Sequence, residues 1–260
     1  MKNQWQVSGP SWLTEDGKKF PSAIRRYIHG AASHFHSGPY VLPNSFSKPL
    51  QAHILEHRSH IATLNYDELL YRSFVGSSVF NGFSCSIDGF SNGFDSDNLR
   101  RTRPGQQSFY LHLHGSPLFV STPDGRLVKK SMSAISELRG YSSTHLVLTH
   151  VRHKETVINA SPILREYWNR LAECLPECDG VILFGYGGGD THLNKLIGSA
   201  FAQKQIEVVE RSKPDYSTPE GKNKRFRFWK ELIGKSPLIW WHDDILSHSH
   251  WSYVKDANAN

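Results

Sequence analysis

Several features that assign a protein to a particular class are scarce or missing in this chain of 260 residues. Its three cysteines, at positions 85, 174 and 178, are too few and too irregular for a disulfide framework or a four-cysteine zinc ribbon. No stretch approaches the roughly 20 apolar residues that cross a bilayer, and residues 1–20 hold no apolar run of the kind found in a secretory signal. We therefore expect a soluble cytoplasmic protein with no membrane partner.

A strong excess of one charge is also lacking. The formal net charge is +6, which favours anionic partners only in general terms. The densest basic cluster, Lys222 to Arg227, is flanked by prolines, so we interpret it as a solvated loop and do not favour a nucleic-acid partner. The chain does have many aromatic side chains, with 7 Trp, 10 Tyr and 14 Phe. These bury large areas and predict a folded core.

The apolar segments predict an α/β fold. Val181 to Phe184 is an apolar strand candidate between two amphipathic helices, one starting at Ser161-Pro162 and the other running from Thr191 to about Gln203. Further strand candidates are residues 60–64, 108–113, 145–151, 206–209 and 238–241, and residues 118–128 suggest a hairpin. Because apolar strands that alternate with helices are typical of parallel sheets, we predict a three-layer α/β sheet with helices on both faces.

One large domain with short additions is the expected organisation. We predict an irregular and helical N-terminal segment at 1–59, an α/β domain at 60–245 and a polar C-terminal tail at 246–260. Helix candidates in the first segment are Ser22 to Ile28 and about Leu50 to His57. Residues 73–107 are rich in Gly, Ser, Asn and Asp, which is typical of a lid, a binding loop or an insertion.

Polar or glycine-rich segments follow three of the predicted strands. They are Thr63 to Asp67, His112 to Ser116 and Gly185 to Asp190. In open α/β sheets, ligands bind beyond the carboxyl ends of the strands, where loops converge and helix N-termini expose N–H groups. These segments therefore carry the candidate site.

Each segment also has a purely structural interpretation. Asn65 and Asp67 can present an amide and a carboxylate to one ligand, or form an Asx turn that caps the next helix. His114 can be a general base with room made by Gly115, or a histidine hydrogen-bonded to backbone. Asp190 can cap a helix, where its charge would repel a phosphate from the glycine-rich turn. The residues taken singly leave both interpretations open.

The order of these segments carries a family resemblance. T-x-N-Y-D, then L-H-G, then I-L-F-G-Y-x-x-x-D resembles the sirtuin-like superfamily, in particular its bacterial defence-associated NAD-hydrolase branch. Asp88 to Phe90 and Pro117 to Lys130 look like a related bacterial family that is still labelled a domain of unknown function. The resemblance covers roughly residues 60–205.

This resemblance implies a Rossmann-like NAD pocket, with NAD as substrate and no metal. The implied catalytic residues are His114 as base with Asn65 and Asp67 on the nicotinamide ribose side, and the implied NAD contacts are Thr63, Tyr66, Gly115, Gly185, Tyr186, Gly187 and Asp190. Cleavage of the nicotinamide bond passes through an oxocarbenium-like sugar, which a carboxylate stabilises. The implied function is hydrolysis of NAD to nicotinamide and ADP-ribose in anti-phage defence, with a second copy of the chain or a sensor protein as candidate partners.

Two departures from the family pattern matter. The family opens with a strand and a G-A-G-x-S loop that cradles the pyrophosphate. Here Gly30 to Ser33 only weakly resembles that loop, and it follows the helix-like segment Arg25 to His29. Sirtuin deacetylases also carry a four-cysteine zinc module, which is absent, so protein deacetylation is disfavoured. The first departure favours a competing interpretation, a nucleotide-binding module without turnover.

A metal-dependent hydrolase is the third interpretation. It rests on His112-x-His114, on His150 and His153, and on the C-terminal group His242, Asp243, Asp244, His248 and His250. Imidazole and carboxylate groups are suitable ligands for zinc or manganese. The alternative reading of the C-terminal group is a solvated tail.

Overall fold

A computed structural model describes residues 14–36, 40–85, 91–100, 108–131, 145–147, 151–200 and 204–251. Its helices are α1 (Glu15–His36), α2 (Asn44–His57), α3 (Leu69–Arg72), α4 (Val151–Ala160), α5 (Pro162–Cys174), α6 (Thr191–Ala200) and α7 (Pro219–Ile233). Its strands are β1 (Ile61–Thr63), β2 (Val79–Phe80), β3 (Phe83–Cys85), β4 (Ser91–Phe94), β5 (Ser108–His112), β6 (Phe119–Ser121), β7 (Leu127–Lys129), β8 (Gly180–Phe184), β9 (Gln205–Arg211) and β10 (Leu238–His242).

Parallel strands form the two main sheets. The first has the order β1-β5-β2 and the second β10-β9-β8, and every pairing within them is parallel. Two antiparallel pairs, β3-β4 and β6-β7, accompany them. The predicted α/β class, with parallel strands flanked by helices, is confirmed. None of the described helices is long and apolar enough to cross a membrane.

Helix α5 packs its buried face into the main hydrophobic core. The Ser161 side chain accepts the Leu164 N–H at the helix start, with Pro162 in the first turn, as predicted. The buried stripe of α5 consists of Ile163, Leu164, Tyr167, Trp168, Leu171 and Cys174. Trp168 Nε1 donates to the Leu113 carbonyl at 3.0 Å. The helix is thereby fixed against the carboxyl end of β5, next to the candidate site.

A second core lies between α2 and the C-terminal segment. The rings of Phe46, Phe184 and Trp251 contact one another with centroids 5.1 to 5.6 Å apart, and His248 is also buried. The first residues of the predicted polar tail therefore pack against α2 and β8. Residues 252–260 lie outside the described residues.

The basic cluster Lys222 to Arg227 is helical, so the prediction of a loop is wrong. Thr218 caps α7 by accepting the Gly221 N–H at 3.1 Å, and Pro219 occupies the first turn. Trp229 and Ile233 anchor the helix in the core. A proline does not exclude a helix here, because at the first turn it costs no hydrogen bond.

The strand predicted at 145–151 is also corrected. Leu146 makes a single bridge with Gly115, residues 148–150 lie outside the described residues, and α4 begins at Val151. Lys154 and Ile158 are both buried. Thr156, midway between them, is exposed, which fits one face of a helix and breaks the two-residue alternation of a strand.

Candidate functional site

The three strand-end segments meet at one edge of the fold. At the ends of β1 and β5, the Leu113 N–H donates to the Thr63 carbonyl at 2.9 Å. His114 Nε2 lies 3.1 Å from Asp190 Oδ2, which joins the end of β5 to the glycine-rich turn after β8. The Tyr66 and His114 rings have centroids 6.2 Å apart. One predicted residue from each of the other two segments, Tyr66 and Asp190, thus lies near the His114 imidazole.

Gly115 allows the chain to turn directly after His114. Its φ of +83° lies in the left-handed region, and a β-carbon there would overlap the backbone carbonyl of His145. Val147 N–H donates to the His114 carbonyl at 2.9 Å on the other side of the turn. A glycine is therefore required here by the backbone.

Asp190 caps a helix, as one of its two interpretations predicts, and it also contacts His114. Oδ1 accepts the N–H groups of His192 and Leu193, each at 3.1 Å, and so caps α6. Oδ2 faces His114 and also accepts a hydrogen bond from Lys154. The carboxylate is buried, so a burial cost of several kcal/mol is offset only by these partners.

Lys154 is a site residue that the sequence analysis missed. Its side chain is 8% exposed and forms an ion pair with Asp190, and its Nζ lies 5.0 Å from the centre of the Trp168 ring. A lysine on the buried face of an amphipathic helix is a signal for such a partner. The predicted strand at 145–151 obscures this signal, because it ends where α4 begins.

Burial controls the charges in this cluster. Burial, followed by the nearby Lys154 charge, lowers the pKa of His114 to about 4, while a hydrogen bond with the Leu64 backbone opposes the change. Burial also lowers the pKa of Lys154 to about 8. At neutral pH the imidazole is therefore neutral, and Lys154 is mainly protonated and balances the Asp190 carboxylate. That balance weakens the expected repulsion between Asp190 and a phosphate.

The segment after β1 is held mainly by local hydrogen bonds. Asp67 Oδ1 accepts the Leu69 N–H at 3.0 Å, which is the Asx-turn alternative. Thr63 Oγ1 accepts the Asn65 N–H at 3.1 Å, and the Asn65 side chain is exposed. Tyr66 donates its hydroxyl proton to the Val147 carbonyl, and burial raises its pKa to about 12. Of these residues, Asn65 is the one whose side chain is most open to a ligand.

The glycine-rich turn is braced by Tyr186. Its hydroxyl donates to Asn194 Oδ1 at 2.7 Å and accepts the Asp190 N–H at 2.9 Å. Asn194 Nδ2 in turn donates to the Gly188 carbonyl at 2.8 Å. Tyr186 therefore supports the turn from within. Gly185 and Gly187 are exposed, so a ligand can approach the backbone there.

The segment Gly30 to Ser33, which weakly resembles a phosphate loop, lies inside α1. Backbone N–H groups in a helix interior are used by the helix itself and cannot cradle a phosphate. The buried face of α1 instead carries His29, whose Nε2 lies 3.0 Å from the Pro117 carbonyl. This helix thus packs near the turn that follows β5.

Within the described ranges, no group of three or more His, Cys, Asp or Glu side chains could hold a metal ion. His112 is buried among aromatic rings, whereas His114 faces Asp190. His242 Nε2 lies 2.9 Å from His248 Nδ1, in a hydrogen bond. His150 lies outside the described residues. The metal-hydrolase interpretation therefore has no geometric support in the described part of the chain.

Comparison with known families gives one assignment. A family model described as a SIR2-like domain matches residues 59–232. The match begins just before β1 and ends within α7, so it includes the three strand-end segments and Lys154. No curated protein matches the chain.

Proposed function

Because this chain belongs to the SIR2-like domain family, we propose that it binds NAD at the His114 edge and hydrolyses it to nicotinamide and ADP-ribose. Family membership supports NAD binding. The observation that carries the choice of site is the 3.1 Å contact between His114 Nε2 and Asp190 Oδ2, which joins the segments after β5 and β8.

A neutral imidazole suits the proton transfer in this reaction. Breaking the bond between nicotinamide and C1′ of the ribose leaves an oxocarbenium-like sugar, and the bonding electrons leave with nicotinamide. Water then forms the new C1′–O bond and must lose a proton. His114 is neutral at neutral pH because of its low pKa, so it can accept that proton directly or through a ribose hydroxyl.

We assign roles in NAD binding to other residues from their positions at this edge. The exposed Asn65 side chain orients the nicotinamide ribose, and Asp67, at the same turn, supplies negative charge near the sugar. The exposed backbone at Gly185 and Gly187 lets the dinucleotide approach closely. Because Lys154 balances Asp190, this edge tolerates a pyrophosphate.

A second candidate function is NAD binding without turnover. The helical state of Gly30 to Ser33 favours it, since this stretch provides no pyrophosphate loop. The two functions share a pocket and differ in whether the glycosidic bond is broken.

The biological setting rests on the resemblance to the defence-associated branch alone. We propose that hydrolysis depletes NAD in anti-phage defence, in the cytoplasm, with a second copy of the chain or a sensor protein as partner. Phage components are therefore included as activators in the assay that follows.

The test combines a product assay with thermal unfolding. Full-length protein with NAD, with and without phage components, is expected to release nicotinamide and ADP-ribose in equal amounts. Saturating NAD is expected to raise the melting temperature, since a ligand that binds only the folded state stabilises it. Asn65→Ala is expected to fold normally and to lose most product release.

The outcomes separate the candidates. Stabilisation by NAD without product would establish the binding module instead of the hydrolase. Neither stabilisation nor product under any condition would contradict both.

A further inference from the structure

We propose that Lys154 is a positioning residue for His114. Its ammonium group forms an ion pair with the Asp190 carboxylate, and this ion pair keeps the His114 imidazole available as a proton acceptor. The catalytic consequence rests on the proposed function. The state of His114, however, is a property of the protein without NAD and is measured separately.

The geometry places the three groups around one oxygen atom. Asp190 Oδ2 faces both His114 Nε2 and Lys154 Nζ, while Oδ1 is used by the start of α6. The carboxylate is thus fixed in orientation. His114 and Lys154 compete for the same negative charge.

Trp168 holds Lys154 in place. The Lys154 Nζ lies over its ring at 5.0 Å, which is within the range of cation–π attraction. The Trp168 indole donates to the Leu113 carbonyl, one residue before His114. Trp168 therefore contacts both Lys154 and the strand end that carries His114.

Two further titratable groups lie near the Asp190–Lys154 pair. Tyr66, beside the imidazole, stays neutral because burial raises its pKa to about 12. His192, which follows the Asp190 cap, has its pKa lowered by burial and then by Lys154. Both are uncharged at neutral pH.

A contribution to stability alone does not explain the ion pair between Lys154 and Asp190. Buried ion pairs are often no more stabilising than apolar side chains of similar volume. What a lysine adds here is a positive charge that competes with the imidazolium form of His114. Without that charge, Asp190 would stabilise a proton on His114, and the base would be occupied before substrate bound.

The experiment is an NMR titration of histidine ring carbons in full-length protein without NAD. In wild type, His114 is expected to stay neutral from pH 8 down to about 5. In Lys154→Met, its midpoint is expected to rise by about 1–3 pH units, as for a histidine beside an unshared carboxylate. Lys154→Arg is expected to restore the wild-type behaviour.

Matched variants control for folding and for general charge effects. Lys195→Met removes an exposed lysine from α6 and is expected to leave the His114 midpoint unchanged. If Lys154→Met does not fold, Lys154→Gln keeps an N–H for Asp190 without the charge and is expected to show the same rise.

An unchanged His114 midpoint in the folded, uncharged variant would overturn the proposal, whether or not the protein cleaves NAD. If the protein is active, the acid limb of the pH–rate profile is expected to move upward in the same variant. A uniform loss of rate at every pH would indicate a structural role only and would also overturn the proposal.

Discussion

His114→Gln is expected to lower nicotinamide release by about 10²–10⁴-fold, the range typical for loss of a general base. Glutamine can still hydrogen-bond to Asp190, but it does not accept the proton released by water or a ribose hydroxyl. Because the His114 side chain is 19% exposed and lies at the site edge, the fold should persist. The measurement is the initial rate of nicotinamide release, with NAD-induced thermal stabilisation as the binding readout.

The matched control is His57→Gln, which makes the same change on the exposed face of α2. It is expected to keep wild-type activity and stability. Full activity in folded His114→Gln would contradict the role of His114 as the base. Loss of both activity and NAD binding would instead assign His114 to binding.

Asp190→Leu is expected to reduce the free energy of unfolding by about 3–5 kcal/mol, the usual cost of breaking a buried ion pair from one side. The change leaves the buried Lys154 ammonium without its carboxylate and removes the α6 cap. Urea denaturation followed by circular dichroism measures the loss. Asp243→Ala, at an exposed aspartate, is expected to stay within about 0.5 kcal/mol of wild type.

A double variant identifies the cause of that loss. Adding Lys154→Met to Asp190→Leu is expected to recover part of the stability, because no uncompensated charge remains. If the two substitutions are simply additive, the ion pair is not the source of the effect. The cap alone would then account for the cost.

Local signals in the sequence were sufficient for much of the fold. The capped start of α5 at Ser161 and Pro162, the apolar strand β8 and the β6-β7 hairpin each depend on neighbouring residues. The same kind of signal gave a wrong prediction at α7, where Pro219 starts a helix instead of belonging to a loop.

The partners of the site residues depend on distant segments and were beyond local patterns. Lys154 reaches Asp190 across 36 positions, and Tyr66 bonds to Val147 across 81. The order of the three strand ends predicted that they would meet. It could not choose between the two interpretations of Asp67, because an Asx turn and a ligand contact require the same residue at the same place.

Amide hydrogen exchange with and without NAD tests most directly whether the three strand ends form one NAD site. His114→Gln protein is used so that the ligand is not consumed. The account predicts slower exchange in peptides covering residues 63–67, 112–116 and 185–194, with little change elsewhere. Protection confined to another surface, such as the cavity lined by Lys213, Tyr216 and Trp241, or no protection at saturating NAD, would contradict it.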